Sequence, residues 1–93
     1  MTIRHNTIFN PHGQTDAISL FQDFGLEANR TITDNLLAGG GYTIYAGGQG
    51  THGTTHHIVI TDNRISRKYF PHGGSYGPVA KWEDGTGNQW SGN

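Results

Sequence analysis

Polar and apolar residues alternate in short stretches that recur along the chain. Thr2-Ile3-Arg4 is followed by His5-Asn6, Thr31-Ile32-Thr33 by Asp34-Asn35, and Ile58-Val59-Ile60-Thr61 by Asp62-Asn63. Trp90-Ser91-Gly92-Asn93 opens a fourth copy. Alternation of period two predicts half-buried strands, with Ile3, Ile32, Ile60 and Trp90 as the inward residues. The four asparagines are 29, 28 and 30 residues apart, a period characteristic of stacked repeats. Asparagine tolerates the left-handed backbone region and bonds neighbouring main chain. Each asparagine is therefore expected to be a left-handed corner that leaves the next apolar residue, Ile8, Leu37 or Ile65, pointing inward.

After each corner the pattern predicts a loop and a second apolar strand, over Ala17 to Phe21, Tyr42 to Ala46 and Val79 to Trp82. Each repeat thus holds two strands at least. Return segments rich in Gly, Thr, Asn and Asp follow, from Gln22 to Asn29, Gly47 to His56 and Glu83 to Asn88, with one faint helical stripe at Leu20, Phe21 and Phe24. The repeats fall near 2–29, 30–57 and 58–88, with a partial one at 89–93, in a single domain spanning 1–93.

Copies of one strand-corner-strand unit at a near-constant period can lie on one another in parallel, about 4.8 Å apart. A β-sandwich of short strands would also show alternating, turn-rich segments; the regular period favours the stack. The Thr-Asp-Asn corners, the Gly39-Gly40-Gly41-Tyr42-Thr43-Ile44-Tyr45 strand and Tyr76-Gly77-Pro78-Val79 in the matching place resemble the right-handed parallel β-helix repeat proteins. Pectate lyases, polygalacturonases and phage tailspikes share that architecture. The resemblance covers nearly the whole chain. It implies an all-β fold, a right-handed parallel β-helix of about three coils with a partial fourth, with Asn35 and Asn63 in an inward ladder. It also implies a carbohydrate-active protein and, since such proteins are commonly exported, an exported parent.

Composition adds limits. Fifteen glycines against 32% hydrophobic residues suit tight turns between short elements. Ninety-three residues bury only about 60 to 65% of the unfolded chain's surface, so the core is thin. Seven acidic and six basic residues leave a net charge of −1 without runs, which gives no basic stripe for nucleic acid or an anionic membrane. A neutral ligand fits better. There are no cysteines, hence no disulfides or thiolate metal sites. The start, Met1-Thr2-Ile3-Arg4-His5, lacks a signal-peptide apolar run, and a soluble chain without a membrane partner is expected.

Superposing the corners puts His5, Asp34 and Asp62 in one outward column beside Arg4, Thr33, Thr61 and Ser91. Carboxylates about 5 to 5.5 Å apart, one protonated and one ionised, serve retaining glycosidases; aspartate at a turn is also ordinary turn chemistry. The first and third copies carry long loops, with Pro11-His12-Gly13 and Pro71-His72-Gly73, around a short second one. This predicts a notch with Gly39, Gly40, Gly41 and Tyr42 as floor and His12 and His72 as walls. Tyr42, Tyr45, Tyr69, Tyr76, Trp82 and Trp90 offer faces for sugar rings, or for packing at the coil ends. His52-Gly53-Thr54-Thr55-His56-His57 places three imidazoles in six residues and is the one candidate for a divalent metal, although its spacing fits no zinc signature. Otherwise no cofactor is indicated.

The leading expectation is a β-helix module that binds or cleaves a polysaccharide in a side notch. Its catalytic candidates are Asp34, Asp62 and His5; its substrate-binding candidates are His12, His72, Tyr42, Tyr45, Tyr76 and Arg64. Polygalacturonases carry a cluster of aspartates with a His and an Arg-Ile-Lys element, of which this chain has Asp34, Asp62 and, by position only, Arg64-Ile65-Ser66, so most of that pattern is missing; of a pectate lyase's calcium-binding carboxylates and catalytic basic residue it has Asp34, Asp62 and Arg64. If the chain is an enzyme, it is then a glycoside hydrolase or a polysaccharide lyase. The rivals are a non-catalytic module that self-stacks and a histidine-loop metal protein. Exposed strand edges at both ends predict a homo-oligomer joined through them.

Overall fold

The computed structural model describes residues 1–23 and 25–93; Phe24, part of the faint helical stripe, lies outside the described residues. Ten strands and no helix occur among them: β1 (Thr2–Arg4), β2 (Thr7–Asn10), β3 (Ile18–Leu20), β4 (Ala28–Thr33), β5 (Leu36–Gly39), β6 (Tyr42–Ala46), β7 (His56–Thr61), β8 (Arg64–Ser66), β9 (Gly77–Ala80) and β10 (Gln89–Ser91). They form three parallel sheets in the orders β1-β4-β7-β10, β2-β5-β8 and β3-β6-β9. Each coil contributes one strand to each face, so the chain is a short parallel β-helix of about three coils. Each full coil holds three strands, within the expected two at least, because the segment after each corner pairs as a separate sheet.

The register places like on like. Ile3 pairs with Ile32, Ile32 with Ile60, and Trp90 with Ile60, which makes the expected interior column. Arg4, Thr33, Thr61 and Ser91 form the neighbouring outward file. Ile32, Leu37, Ile44, Ile58 and Ile60 are fully buried, and Ile3, Ile8, Ile65, Val79, Trp82 and Trp90 pack partly buried around them. Each fully buried aliphatic side chain contributes about 1.5 to 3 kcal/mol relative to exposure.

The asparagines form a directed ladder. Asn6 Nδ2 donates to Asn35 Oδ1, Asn35 Nδ2 to Asn63 Oδ1, and Asn63 Nδ2 to Asn93 Oδ1, at 3.3, 2.9 and 2.9 Å. The backbone N–H groups of Asn6, Asn35 and Asn63 donate to the same three oxygens. Asparagine is not, however, the left-handed residue. That conformation belongs to the residue before it, His5 (φ 61°), Asp34 (57°), Asp62 (56°) and Gly92 (68°). With His5, Asp34, Asp62 or Gly92 making the turn, the asparagine that follows stays out of the left-handed region and stacks its amide in the file.

Of the predicted second strands, Tyr42 to Ala46 is β6 as expected, the first shortens so that Ala17 and Phe21 fall outside β3, and the third shifts to Gly77–Ala80, leaving Trp82 to pack on Trp90 with ring centroids 6.0 Å apart. The notch does not open. Gly39, Gly40 and Gly41 are buried because both long loops lie down on them. Gly40 N–H donates to Asn10 O, Gly41 N–H to Thr15 O, Gly39 N–H to Gly73 O, and Ser75 and Tyr76 N–H to Gly40 and Gly41 O. A Cβ on Gly39 would overlap the Asn10 carbonyl, and one on Gly40 would sit 2.6 Å from Asp16 Cα. Loop length left room for a gap, and the absence of side chains let backbone fill it.

Candidate functional site

Two surfaces gather the residues singled out from sequence. The first runs along the edge between the β1 and β2 sheets. His5, Asp34, Asp62 and Arg64 line one open depression of about 340 Å³ there, so the predicted acidic column and the basic residue do meet. His5 Nδ1 lies 2.8 Å from Asp34 Oδ2, with both side chains largely exposed. The contact favours the tautomer with hydrogen on Nδ1 and leaves Nε2 to solvent. Thr33 Oγ1 and Thr61 Oγ1 lie 3.3 Å apart in the neighbouring file. In so exposed a place the contact contributes only about 0 to 1 kcal/mol.

The second surface lies on the β3-β6-β9 sheet. Ile18, Ile44 and Val79 pair inward, so Ser19, Tyr45 and Ala80, one register step on, face out. Tyr42 lies opposite Gly77, and its ring runs alongside, 3.6 Å from where a Gly77 Cβ would stand. The outcome is a continuous row of four rings. Phe21 and Tyr45 have centroids 5.3 Å apart, Tyr45 and Tyr42 5.7 Å, and Tyr42 and Tyr76 5.8 Å. Tyr76 is 73% and Phe21 47% exposed, while Tyr42 and Tyr45 are half-buried. Tyr42, Tyr45 and Tyr76 had been singled out as binding residues. Phe21 had not, because the strand pattern counted it as the end of a buried element.

Phe21 also borders a cleft of about 350 Å³, with Asp23, Gln49, Thr51 and Lys81 among its polar groups. Its wall is firmly held. Gln22, 8% exposed, donates through Nε2 to Gly47 O (2.8 Å) and Gly53 O (3.0 Å) and accepts from His52 N–H through Oε1 (3.1 Å). A Cβ on Gly50 would strike Gln22 at 2.6 Å, so glycine is required there. From the other side, Glu83 accepts from Thr55 N–H (2.7 Å) and Gln49 N–H (3.2 Å). These bonds, that from Thr55 foremost, hold its carboxyl below the usual carboxylate range against an opposing effect of burial.

His12 and His72 are exposed on the loops that cover Gly39 to Gly41 and line neither the edge depression nor the cleft. Tyr69 packs edge-on against Phe9 at 6.1 Å. The three-histidine loop does not assemble as a triad, since no group of three or more metal-capable His, Cys, Asp or Glu side chains forms among the described residues. His56 and His57 do meet. Comparison with protein-family models, with curated proteins and with solved structures finds no match.

Proposed function

We propose that this β-helix is a non-catalytic carbohydrate-binding module. The observation that carries the proposal is the unbroken row Phe21-Tyr45-Tyr42-Tyr76 ending at a polar cleft. Sugar rings have apolar C–H faces and polar rims, and aromatic side chains with a few polar groups at one end suit both. A net charge of −1 favours a neutral chain over a polyanion. Binding is favoured over cleavage by the position of the acids. His5, Asp34 and Asp62 lie between the β1 and β2 sheets, whereas the rings sit on the β3 sheet, so the candidate acids and the candidate subsites occupy different sides of the coil.

The test is binding to a panel of soluble neutral and uronic polysaccharides by affinity electrophoresis and calorimetry, with Tyr45→Ala, Tyr76→Ala and Phe21→Ala beside the unaltered chain. Loss of retardation on one neutral polysaccharide in all three variants supports the reading. No binding to any member, or binding indifferent to all three, removes it. Measurable hydrolysis or elimination abolished by Asp62→Asn would restore the catalytic reading.

A further inference from the structure

His56 and His57 are sequence neighbours, and in an ordinary strand their side chains would point to opposite faces. They do not. His57 has φ 53°, which turns its ring back toward that of His56, and the two Nδ1 atoms stand 3.0 Å apart. The rings are 88° to one another with centroids 5.3 Å apart. The kink is built into the stack. Ala28 pairs with His56, and Asn29, next along the coil below, is left-handed as well (φ 57°). His57 N–H donates to Thr86 O at 2.8 Å. Gly87 leaves space for the imidazole, since a Cβ there would lie 2.6 Å from His57 Cδ2.

We infer that His56 and His57 form a two-nitrogen chelate for a divalent transition ion of the Cu²⁺ or Ni²⁺ type. Nitrogen–metal bonds of about 2.0 to 2.1 Å across a 3.0 Å separation subtend an angle of about 91 to 97°, near the cis angle of square-planar and tetragonal sites. A tetrahedral ion would need the nitrogens about 3.3 Å apart. The spacing suits the cis angle that Cu²⁺ and Ni²⁺ prefer, and the intrinsic affinity order places Cu²⁺ above Zn²⁺. In the Nδ1–Nδ1 contact one nitrogen carries a hydrogen; on metal binding that ring takes the tautomer with its hydrogen on Nε2, and both Nδ1 lone pairs turn to the ion. Water completes the coordination, because no third protein ligand joins the pair among the described residues. His52 takes no part.

The experiment is titration of the full chain at neutral pH with CuCl2, NiCl2 and ZnCl2 by calorimetry, with electron paramagnetic resonance of the copper form. One equivalent of Cu²⁺, a signal split by two nitrogen nuclei, and weaker Zn²⁺ binding are expected. His56→Ala and His57→Ala should each weaken binding at least about tenfold, since each removes one arm of an intramolecular chelate, while His52→Ala leaves it unchanged. Circular dichroism confirms that each variant is folded. Copper binding that persists in His56→Ala or His57→Ala, requires His52, or is absent from the unaltered chain overturns the inference.

Discussion

Removing one amide from the middle of the ladder should unseat the two coils beside it. Asn63 is 3% exposed. Its Oδ1 accepts from Asn35 N–H (3.1 Å) and Nδ2 (2.9 Å), and its Nδ2 donates to Ile32 O (3.0 Å) and Asn93 Oδ1 (2.9 Å). In Asn63→Ala all four bonds vanish. Asn35 Nδ2 keeps Ile3 O and Thr33 O, and Asn93 Oδ1 keeps Asn63 N–H. The Asn35 N–H is left without its acceptor and out of reach of water. An orphaned buried donor costs about 1 to 3 kcal/mol and the three other lost bonds about 0.5 to 1 kcal/mol each, for a total of about 2.5 to 6 kcal/mol. A chain of this length has about 5 to 14 kcal/mol of stability in all, so the midpoint should fall by about 10 °C or more. Asn6→Ala removes the equivalent residue from an exposed end where water substitutes, and should cost under about 1 kcal/mol. Asn63→Asp turns an oxygen toward Ile32 O and Asn93 Oδ1 and should cost at least as much as alanine. Urea and thermal unfolding followed by far-ultraviolet circular dichroism measure all three. Equal losses at positions 6 and 63, or a neutral Asn63→Asp, would refute the reasoning.

Three further outcomes follow from the geometry. Because Glu83 has a carboxyl held below its ordinary value of 4.5 in the folded chain, its contribution is complete above that value and is lost as pH falls through the folded one. The gap in urea midpoint between the unaltered chain and Glu83→Gln should be open at pH 6 and narrow below about pH 4.5; a gap that widens on acidification contradicts the assignment. Asp62→Gly removes the left-handed penalty and should leave stability within about 1 kcal/mol or raise it, whereas Asp62→Val should lose about 1 to 2 kcal/mol; equal unfolding midpoints would count against the corner assignment. Gly39→Ala drives a methyl into the Asn10 carbonyl at φ 88° and should cost more than about 2 kcal/mol while making the 11–17 loop sensitive to brief proteolysis; an unchanged digestion pattern would mean that the loop is not seated on that glycine.

How far the sequence told this in advance depended on what repeats. Ile3, Ile32, Ile60 and Trp90 occupy one place in each copy, so superposition alone predicts that they share a column, and Asn35 and Asn63 are legible as a ladder for the same reason. Assignment of the corner conformation failed because His, Asp and Asn all tolerate positive φ, and adjacent residues cannot be told apart by preference. What separates them is the reach of the amide along the stack, a property of three dimensions. The supposed notch failed because counting residues in the 11–17 and 67–76 loops says nothing of where they lie. Phe21 and the paired orientation of His56 and His57 were hidden because each depends on where a strand ends or kinks, and alternation carries no mark of that.

The ladder has a polarity and no internal stop. Asn6, Asn35 and Asn63 each give the backbone N–H and an Nδ2 hydrogen to the next oxygen of the file, and Asn35, Asn63 and Asn93 also give Nδ2 to a carbonyl of the coil before, so each coil senses only its immediate neighbours. Length is thus a free variable of this design: a whole turn inserted between Asn35 and Asn63 would inherit satisfied amides on both sides, while a single extra residue within β4 would rotate an isoleucine outward and break the file. Evolution, or an engineer, can lengthen the stack of such a protein by duplication in units of one turn, while single residues are absorbed only in the loops, as the spacings of 29, 28 and 30 residues record.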